Sequence, residues 1–212
     1  MDSTWVLAST NSGKIRELRQ VFQAHEHLGL SILSLSDIPG APAIAETGNT
    51  FLENARLKAW GIAHHAKRPT LADDSGLEVF ALGGEPGVFS ARYAGTDFEN
   101  RHDNDEANNQ KLLTEIKNIP EGKRQARYVC VLVLADPKTG HEWVFEGECR
   151  GEIVVDRRGQ EGFGYDPYFF LPERNCTMAE VPLAEKNLFS HRGRALKQLL
   201  EALPQLVSEA PH

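Results

Sequence analysis

Pro69-Thr-Leu-Ala-Asp-Asp-Ser-Gly-Leu-Glu-Val-Phe80 sets an apolar run against two adjacent acids. Thr70 to Ala72 reads as a short buried strand that drives into Asp73 and Asp74. After Ser75 and Gly76 an alternating pattern resumes through Leu77, Val79 and Ala81. Paired carboxylates at the end of a buried strand repel each other and are costly to desolvate. They call for a positive partner: a divalent cation, a lysine or an arginine. The plainer alternative is an Asp-Asp-Ser-Gly turn joining two strands, for which these residue types are well suited.

Upstream, Thr4 to Ser9 reads as a first strand. It ends in Ser9-Thr10-Asn11-Ser12-Gly13-Lys14, and a helical period follows through Ile15, Leu18, Val21 and Phe22. A strand, a small polar loop and a helix start together form an anion-collecting arrangement, because the first helical N–H groups lack partners and the dipole adds positive charge there. Lys14 adds a full charge where the dipole alone would prefer an acid. The alternative is an N-cap at Asn11 or Ser12 with a solvated lysine. The stretch is not a Walker loop, since it lacks the Gly-Lys-Ser/Thr ending. Ser31 to Leu35 suits a second strand, with a Pro-rich connection over Asp37 to Ala45. Thr50 and Glu53 have the spacing of a capping box, so a helix should run from there to about His65. Asn54 and Lys58 share one face of it, which an exposed surface would explain equally well. Glu46 lies just ahead, free to reach a cation.

Downstream, Gly83 to Gly95 is glycine-dense with Arg92 as its one cation, and Thr96 to Asp105 is polar and loop-like. A helix is expected over Glu106 to Ile116, with Asn108 and Lys111 solvated. Ala126 to Ala135 suits a central strand covered on both faces. Asp136 to Gly140 forms a turn, Glu142 to Cys149 returns as a hairpin partner, and Gly151 to Asp156 makes another strand. This combination means a mixed sheet. In Gly159-Gln-Glu-Gly-Phe-Gly-Tyr-Asp-Pro167, Phe163 and Tyr165 are flanked by glycines. An aromatic so held can present its face to a planar base, worth ~1–3 kcal/mol in nucleic-acid systems. It can equally be a plug over the core. Ser190 is a candidate N-cap for a last helix with Leu196, Leu199, Leu200 and Leu203 as its apolar stripe; His191 and Arg192 put cationic or donor groups in its first turn.

With 212 residues, one domain over residues 1–207 and a flexible tail over 208–212 are expected. A net charge of −7 argues against a general nucleic-acid footprint, which needs excess Lys and Arg. The start lacks the basic and apolar segments of a secretory signal, and no stretch approaches a membrane span. Cys130, Cys149 and Cys176 show no metal-type spacing, and Cys130 reads as a small core residue; a reducing cytoplasmic setting follows.

Five segments depart from local rules in the same direction: Ser9–Lys14, Glu46–Lys58, Asp73–Ser75, Phe163–Asp166 and Lys186–Arg192. Glu46, Asp73 and Asp74 offer hard oxygen ligands suited to Mg²⁺. Lys14, Lys58 and the helix starts suit phosphates, and Phe163, Asp166, His191 and Arg192 offer stacking and base-edge hydrogen bonds. A nucleoside triphosphate with its metal needs this inventory.

The chain also resembles the inosine triphosphate pyrophosphatase family from Leu7 to about Leu203. The resemblance rests on Ser9-Thr-Asn-Ser-Gly-Lys14, Thr50-Phe-Leu-Glu-Asn-Ala55, Ala72-Asp-Asp-Ser-Gly-Leu77, Pro86-Gly-Val-Phe-Ser-Ala-Arg-Tyr93, Gly162-Phe-Gly-Tyr-Asp-Pro167 and Ser190-His-Arg-Gly193. Ser9 stands where many relatives have Thr, and Phe89 where many have Tyr. What the resemblance implies is an elongated two-lobed α/β fold around a long mixed sheet, a nucleotide cleft between lobes, and a homodimer. The implied reaction is hydrolysis of dITP, ITP and XTP between the α- and β-phosphates to the monophosphate and pyrophosphate. Carried over by motif, Ser9, Thr10, Asn11, Ser12, Gly13, Lys14 and Lys58 meet the phosphates. Glu46 and Asp74 hold Mg²⁺, Asp74 is the base for the attacking water, and Ser75 lies beside the substrate. Phe163, Gly164, Tyr165, Asp166, Lys186, His191 and Arg192 form the base pocket. From the residues alone, a pyrophosphatase for modified pyrimidines and a non-catalytic nucleotide sensor stay open.

Overall fold

The computed structural model describes residues 2–25, 27, 29–95 and 100–208, without the side chains of 207 and 208. Twelve main elements follow one another: β1 (Thr4–Ala8), α1 (Ser12–Gln23), β2 (Ser31–Ser34), α2 (Phe51–Ala66), β3 (Thr70–Val79), α3 (Arg101–Glu115), β4 (Gln125–Ala135), β5 (Glu142–Ile153), β6 (Phe169–Leu171), β7 (Cys176–Thr177), α4 (Leu183–Phe189) and α5 (His191–Ser208). The strands form one seven-stranded sheet in the order β2-β1-β3-β4-β5-β6-β7. β1 pairs parallel with β2 and β3, whereas β6 pairs antiparallel with β5 and β7, so the sheet is mixed as expected.

Two compact units divide the chain. The first comprises residues up to Asp74, Cys130–Gly147 and the segment from Arg192 on; the second comprises Ser75–Val129 and Glu148–His191. Neither is contiguous, so the units do not correspond to sequential domains. The core of the first gathers Trp5, Leu7, Leu18, Leu71, Leu132 and Leu199; that of the second gathers Leu77, Leu112, Ile116, Tyr128, Phe169 and Met178. Each such side chain stabilises its unit by about 1.5–3 kcal/mol when fully buried.

Local sequence explains the helix starts. The Asn11 side chain accepts from the Lys14 amide at 3.1 Å and caps α1. The capping box forms at α2: Thr50 Oγ1 accepts from Glu53 N at 3.1 Å, and Glu53 Oε2 from Thr50 N at 3.2 Å. Lys67, at φ 55°, ends that helix in the left-handed region.

Several expectations fail for identifiable reasons. β3 does not break at Asp73-Asp74; it runs through Ser75 and Gly76 to Val79, because both acids are met by cations and no turn is needed. The separate strand over Gly151 to Asp156 is instead the end of β5, which continues through Gly151 to Ile153. Gly151 is there because a Cβ would stand 2.4 Å from the Phe170 carbonyl oxygen of the neighbouring strand. The expected loop over Thr96 to Asp105 gives way at Asn100, whose side chain caps α3 by accepting from Asp103 N at 3.0 Å; residues 96–99 lie outside the described residues. Asn108 and Lys111 are not solvated partners. Asn108 is buried and accepts from Ala94 N at 2.7 Å, and Lys111 Nζ donates to the Tyr93 carbonyl at 2.9 Å. Ser190 stands in extended conformation between α4 and α5, the position expected of it. α5 extends to Ser208, and the rest of the expected tail lies outside the described residues. No helix among the described residues is long and apolar enough to cross a membrane.

Candidate active site

In the first unit, parallel pairing of β1 with β3 aligns Ala8 with Ala72. The loop leaving β1 at Ser9 therefore starts beside Asp73. Ser9 Oγ accepts from Asn11 N at 3.2 Å and Asn11 caps α1, so Lys14 emerges from the first helical turn and pairs with Asp73. Thr10 and Ser12 are exposed, while Gly13 is buried. Asp73 also accepts from Arg192 Nε and from Cys130 Sγ, each at 3.0 Å, and Arg192 Nη1 pairs with Glu17 one turn along α1 from Lys14. All of these groups but Lys14 are buried. Burial works to raise the Asp73 carboxyl, but the Arg192 and Lys14 charges outweigh it and hold the group well below the usual carboxylate range. Burial likewise opposes the Arg192 charge, and Asp73 and Glu17 more than offset it.

Successive residues of a strand alternate faces, so Asp74 points away from this cluster. Its Oδ1 accepts from Lys58 Nζ at 3.0 Å, and Lys58 Nζ also donates to Glu46 Oε1 at 2.6 Å. Burial would discharge Lys58, yet Asp74 and Glu46 raise it above its ordinary value. Asp74 is raised, first by burial and further by the Glu46 charge, against the pull of Lys58 and Lys14. Asn54 stands four residues before Lys58 on α2. It is fully buried rather than exposed, and its Oδ1 accepts from Gly48 N at 2.8 Å, tying the segment that carries Glu46 onto α2. Gly48 has no room for a side chain, since a Cβ would sit 2.5 Å from that of Glu53.

Whether a hard cation suits this corner turns on Asp74 Oδ2, which is buried and accepts no hydrogen bond. A buried carboxylate oxygen without a donor is costly, and a divalent ion with oxygen preference would relieve it. Glu46, half-buried beside the same lysine, supplies a second oxygen ligand. Among the described residues no group of three or more His, Cys, Asp or Glu could hold a metal, so the remaining ligands would come from water or phosphate oxygens.

In the second unit, the loop over Gly162 to Asp166 folds back on its own acid. Asp166 Oδ2 accepts from Phe163 N at 3.0 Å and from Lys186 Nζ at 2.7 Å, with Lys186 and Asp166 both buried. Gly162 is required here: its φ is +78°, and a Cβ would lie 2.0 Å from Asp166 Oδ2. The Phe163 ring is half-buried, with the Arg101 guanidinium 4.9 Å from its centroid and Lys186 Nζ 5.3 Å away. Tyr165 is a plug: it is buried in the core and its hydroxyl donates to the Ser90 carbonyl at 2.8 Å. His191 stacks on Tyr128 with centroids 4.7 Å apart and planes 14° from parallel.

The structure thus joins Lys14 with Asp73, Glu46 with Lys58 and Asp74, and Phe163 with Asp166 and Lys186. Ser75 continues β3, half-buried, next to Asp74. Arg192, expected among the base-pocket residues, is fully buried with Asp73 and Glu17 as partners. Sequence reading passed over Glu17, Tyr128, Asp105 and Asn109. Glu17 left a signal, an acid three residues after Lys14 on an otherwise apolar helix face; the others had none.

The sequence model of the Ham1 family matches residues 5–202. A protein from Geobacillus kaustophilus named dITP/XTP pyrophosphatase is 49% identical over 202 residues, covering 95% of each chain. One of the same name from Thermus thermophilus is 49% identical, covering 93% of this chain and 90% of its own. Among solved structures, a HAM1 protein from Coxiella burnetii superposes with a TM-score of 0.83 at 38% identity, covering 98% of this chain and 99% of its own. The Ham1 protein of Staphylococcus aureus gives 0.81 at 39%, covering 98% and 100%. By the match of its sequence and of its fold, the chain belongs to the Ham1 family.

Proposed function

We propose that the chain hydrolyses the triphosphates of deaminated purines (dITP, ITP and XTP) to the nucleoside monophosphate and pyrophosphate, in the presence of Mg²⁺. The observation that carries this reading is the buried, donor-free Oδ2 of Asp74 beside Lys58 and Glu46. The relatives from Geobacillus and Thermus, named dITP/XTP pyrophosphatases, support the substrate class.

Lys14, Lys58 and the start of α1 supply positive charge to phosphate oxygens and to the pyrophosphate leaving group. When bound, Mg²⁺ held by Glu46 and Asp74 would act as a Lewis acid on those oxygens. Asp74, raised by burial, is the acceptor for the proton of a water attacking the α-phosphorus. Ser9, Thr10, Asn11, Ser12 and Gly13 line the phosphate loop, and Ser75 flanks the substrate. Phe163 offers its ring to the base within the loop of Gly164, Tyr165 and Asp166, while Lys186, His191 and Arg192 supply donors. Lysine and arginine carry donors only, so adenine's 6-amino group would leave them unpaired. Sites built this way reject a mispaired analogue by roughly 10⁴-fold or more.

The working unit we infer is a cytoplasmic homodimer of one domain over residues 1–207, without nucleic-acid or membrane partners. Its role is to clear deaminated purines before they are incorporated into DNA or RNA. All three cysteines are free thiols, in keeping with a reducing compartment. The deciding experiment separates pyrophosphate from orthophosphate while dITP, ITP, XTP, GTP, ATP and dUTP are compared with Mg²⁺. Pyrophosphate release strongest with the inosine and xanthosine nucleotides is expected. Orthophosphate as the product, or preference for dUTP, would overturn the reading.

A further inference from the structure

Helix α3 presents Arg101, Asp105 and Asn109 at intervals of four residues, one stripe along a single face. All three reach the loop that carries Phe163. Asp105 Oδ2 accepts from the Gly164 amide at 3.0 Å, and Asn109 Nδ2 donates to the Gly164 carbonyl at 3.1 Å. One peptide unit on each side of Gly164 is therefore held from the helix. Arg101 lies with its guanidinium 4.9 Å from the Phe163 ring centroid, and its Nε is 3.5 Å from Asp105 Oδ2.

Gly164 has φ +62° and open space where a side chain would be, so nothing in its own packing fixes its backbone. Within the loop, the Asp166 carboxylate already grips the Phe163 amide. The helix supplies the second anchor, one residue further on. Asn109 is buried, and its Oδ1 accepts no hydrogen bond, which costs stability at that position. Among the described residues its side chain has one polar partner to offset this, the Gly164 carbonyl. Helix and loop are also tied by Arg157 Nη1 to Glu106 Oε2 at 2.9 Å.

We propose that Arg101, Asp105 and Asn109 are positioning residues for base recognition: they hold the Gly164 peptides and one side of the Phe163 ring so that the aromatic face is preset for the planar base. The proposal rests on the reading of Phe163 as the base platform. A preset platform loses less entropy on binding than a mobile one. The stripe therefore acts on substrate affinity and leaves the phosphoryl chemistry alone.

The test is steady-state kinetics on dITP with Mg²⁺ for D105A, D105N, N109D and R101A, each checked for melting temperature. D105N keeps an acceptor for the Gly164 amide and should retain a KM near wild type. D105A and N109D, which lose a partner to Gly164, should raise KM roughly five- to tenfold with kcat within about twofold. Inhibition by inorganic tripolyphosphate, which has no base, should be unchanged in all of them. In a double-mutant cycle the D105A effect should shrink when Phe163 is already alanine. Unchanged KM in D105A and N109D, KM effects that persist undiminished on F163A, or equal weakening of tripolyphosphate would each overturn the proposal. A wild-type protein that discriminates no nucleotide by its base would instead defeat the reading of Phe163 on which it stands.

Discussion

Asp73 and Asp74 are consecutive on β3 and lie in opposite electrostatic settings. Asp73 Oδ2 accepts from Arg192 Nε at 3.0 Å in the buried interior, while Asp74 Oδ1 accepts from Lys58 Nζ at 3.0 Å and its Oδ2 has no donor among the described residues. The first carboxyl is held well below its usual range and the second is pushed above it. Two acids whose environments separate them in this way are suited to separate roles, one an anchor and the other a base.

Asp74→Asn keeps the shape and removes the acceptor. Pyrophosphate release from dITP should fall by about 10²–10⁴-fold, the range for loss of a positioned base, and further if metal binding is lost with it. Urea unfolding should show little loss of stability, because a buried charge without full compensation has been removed. Wild-type turnover in this variant would exclude Asp74 as the base.

Arg192→Met should be strongly destabilising. It leaves Asp73 and Glu17 buried with their main counter-charge gone, a change that typically costs 3–5 kcal/mol, or about that much here. Adding Glu17→Gln should recover part of the loss. Denaturant midpoints measure both, and a single-variant loss under about 1 kcal/mol would show that Arg192 is not the centre of the cluster.

Acid stability should track Asp73. Its folded-state carboxyl lies below the ordinary value of 3.8, so the stabilisation it contributes is fully present above that pH. It is lost as pH falls below 3.8 towards the folded value. Metal-free protein unfolded in urea across that window should therefore weaken with falling pH, and Asp73→Asn should flatten the slope. An unchanged slope in the variant would mean that other acids carry the effect.

Chelation should abolish turnover, and Mg²⁺ should restore it. Because a ligand of the folded state alone stabilises it, Mg²⁺ should also raise the melting temperature of the wild type. Glu46→Gln and Asp74→Asn should each lose most of that rise. Full activity in excess chelator would rule out the metal.

Gly162→Ala puts a Cβ into the place of Asp166 Oδ2, at a φ of +78° that alanine avoids. KM for dITP should rise by about tenfold or more, from displacement of the Phe163 loop, while tripolyphosphate inhibition stays unchanged. An equal loss of tripolyphosphate binding would point to general unfolding instead.

Much of this was legible along the chain because it depends on near neighbours. The Thr50–Glu53 box, the Asn11 cap, the apolar run of β4 and the loop from Ser9 to Lys14 are set by residues within a few positions of one another. The six motifs also carried the family resemblance, which the comparisons bear out.

What each acid faces was decided only by the tertiary structure. Arg192 is 119 residues from Asp73, Cys130 is 57 away, and Glu17 meets Arg192 across 175. Spacing says nothing about such meetings: neither the pairing of Arg192 with Asp73 and Glu17 nor the unbroken run of β3 past its two acids can be read from neighbours along the chain. The same holds for Asn109 and Gly164, 55 residues apart. Short-range hydrogen bonds and periodicity fix elements, but burial energies favour a charged group only once its distant partner is in place, and that pairing belongs to the fold as a whole.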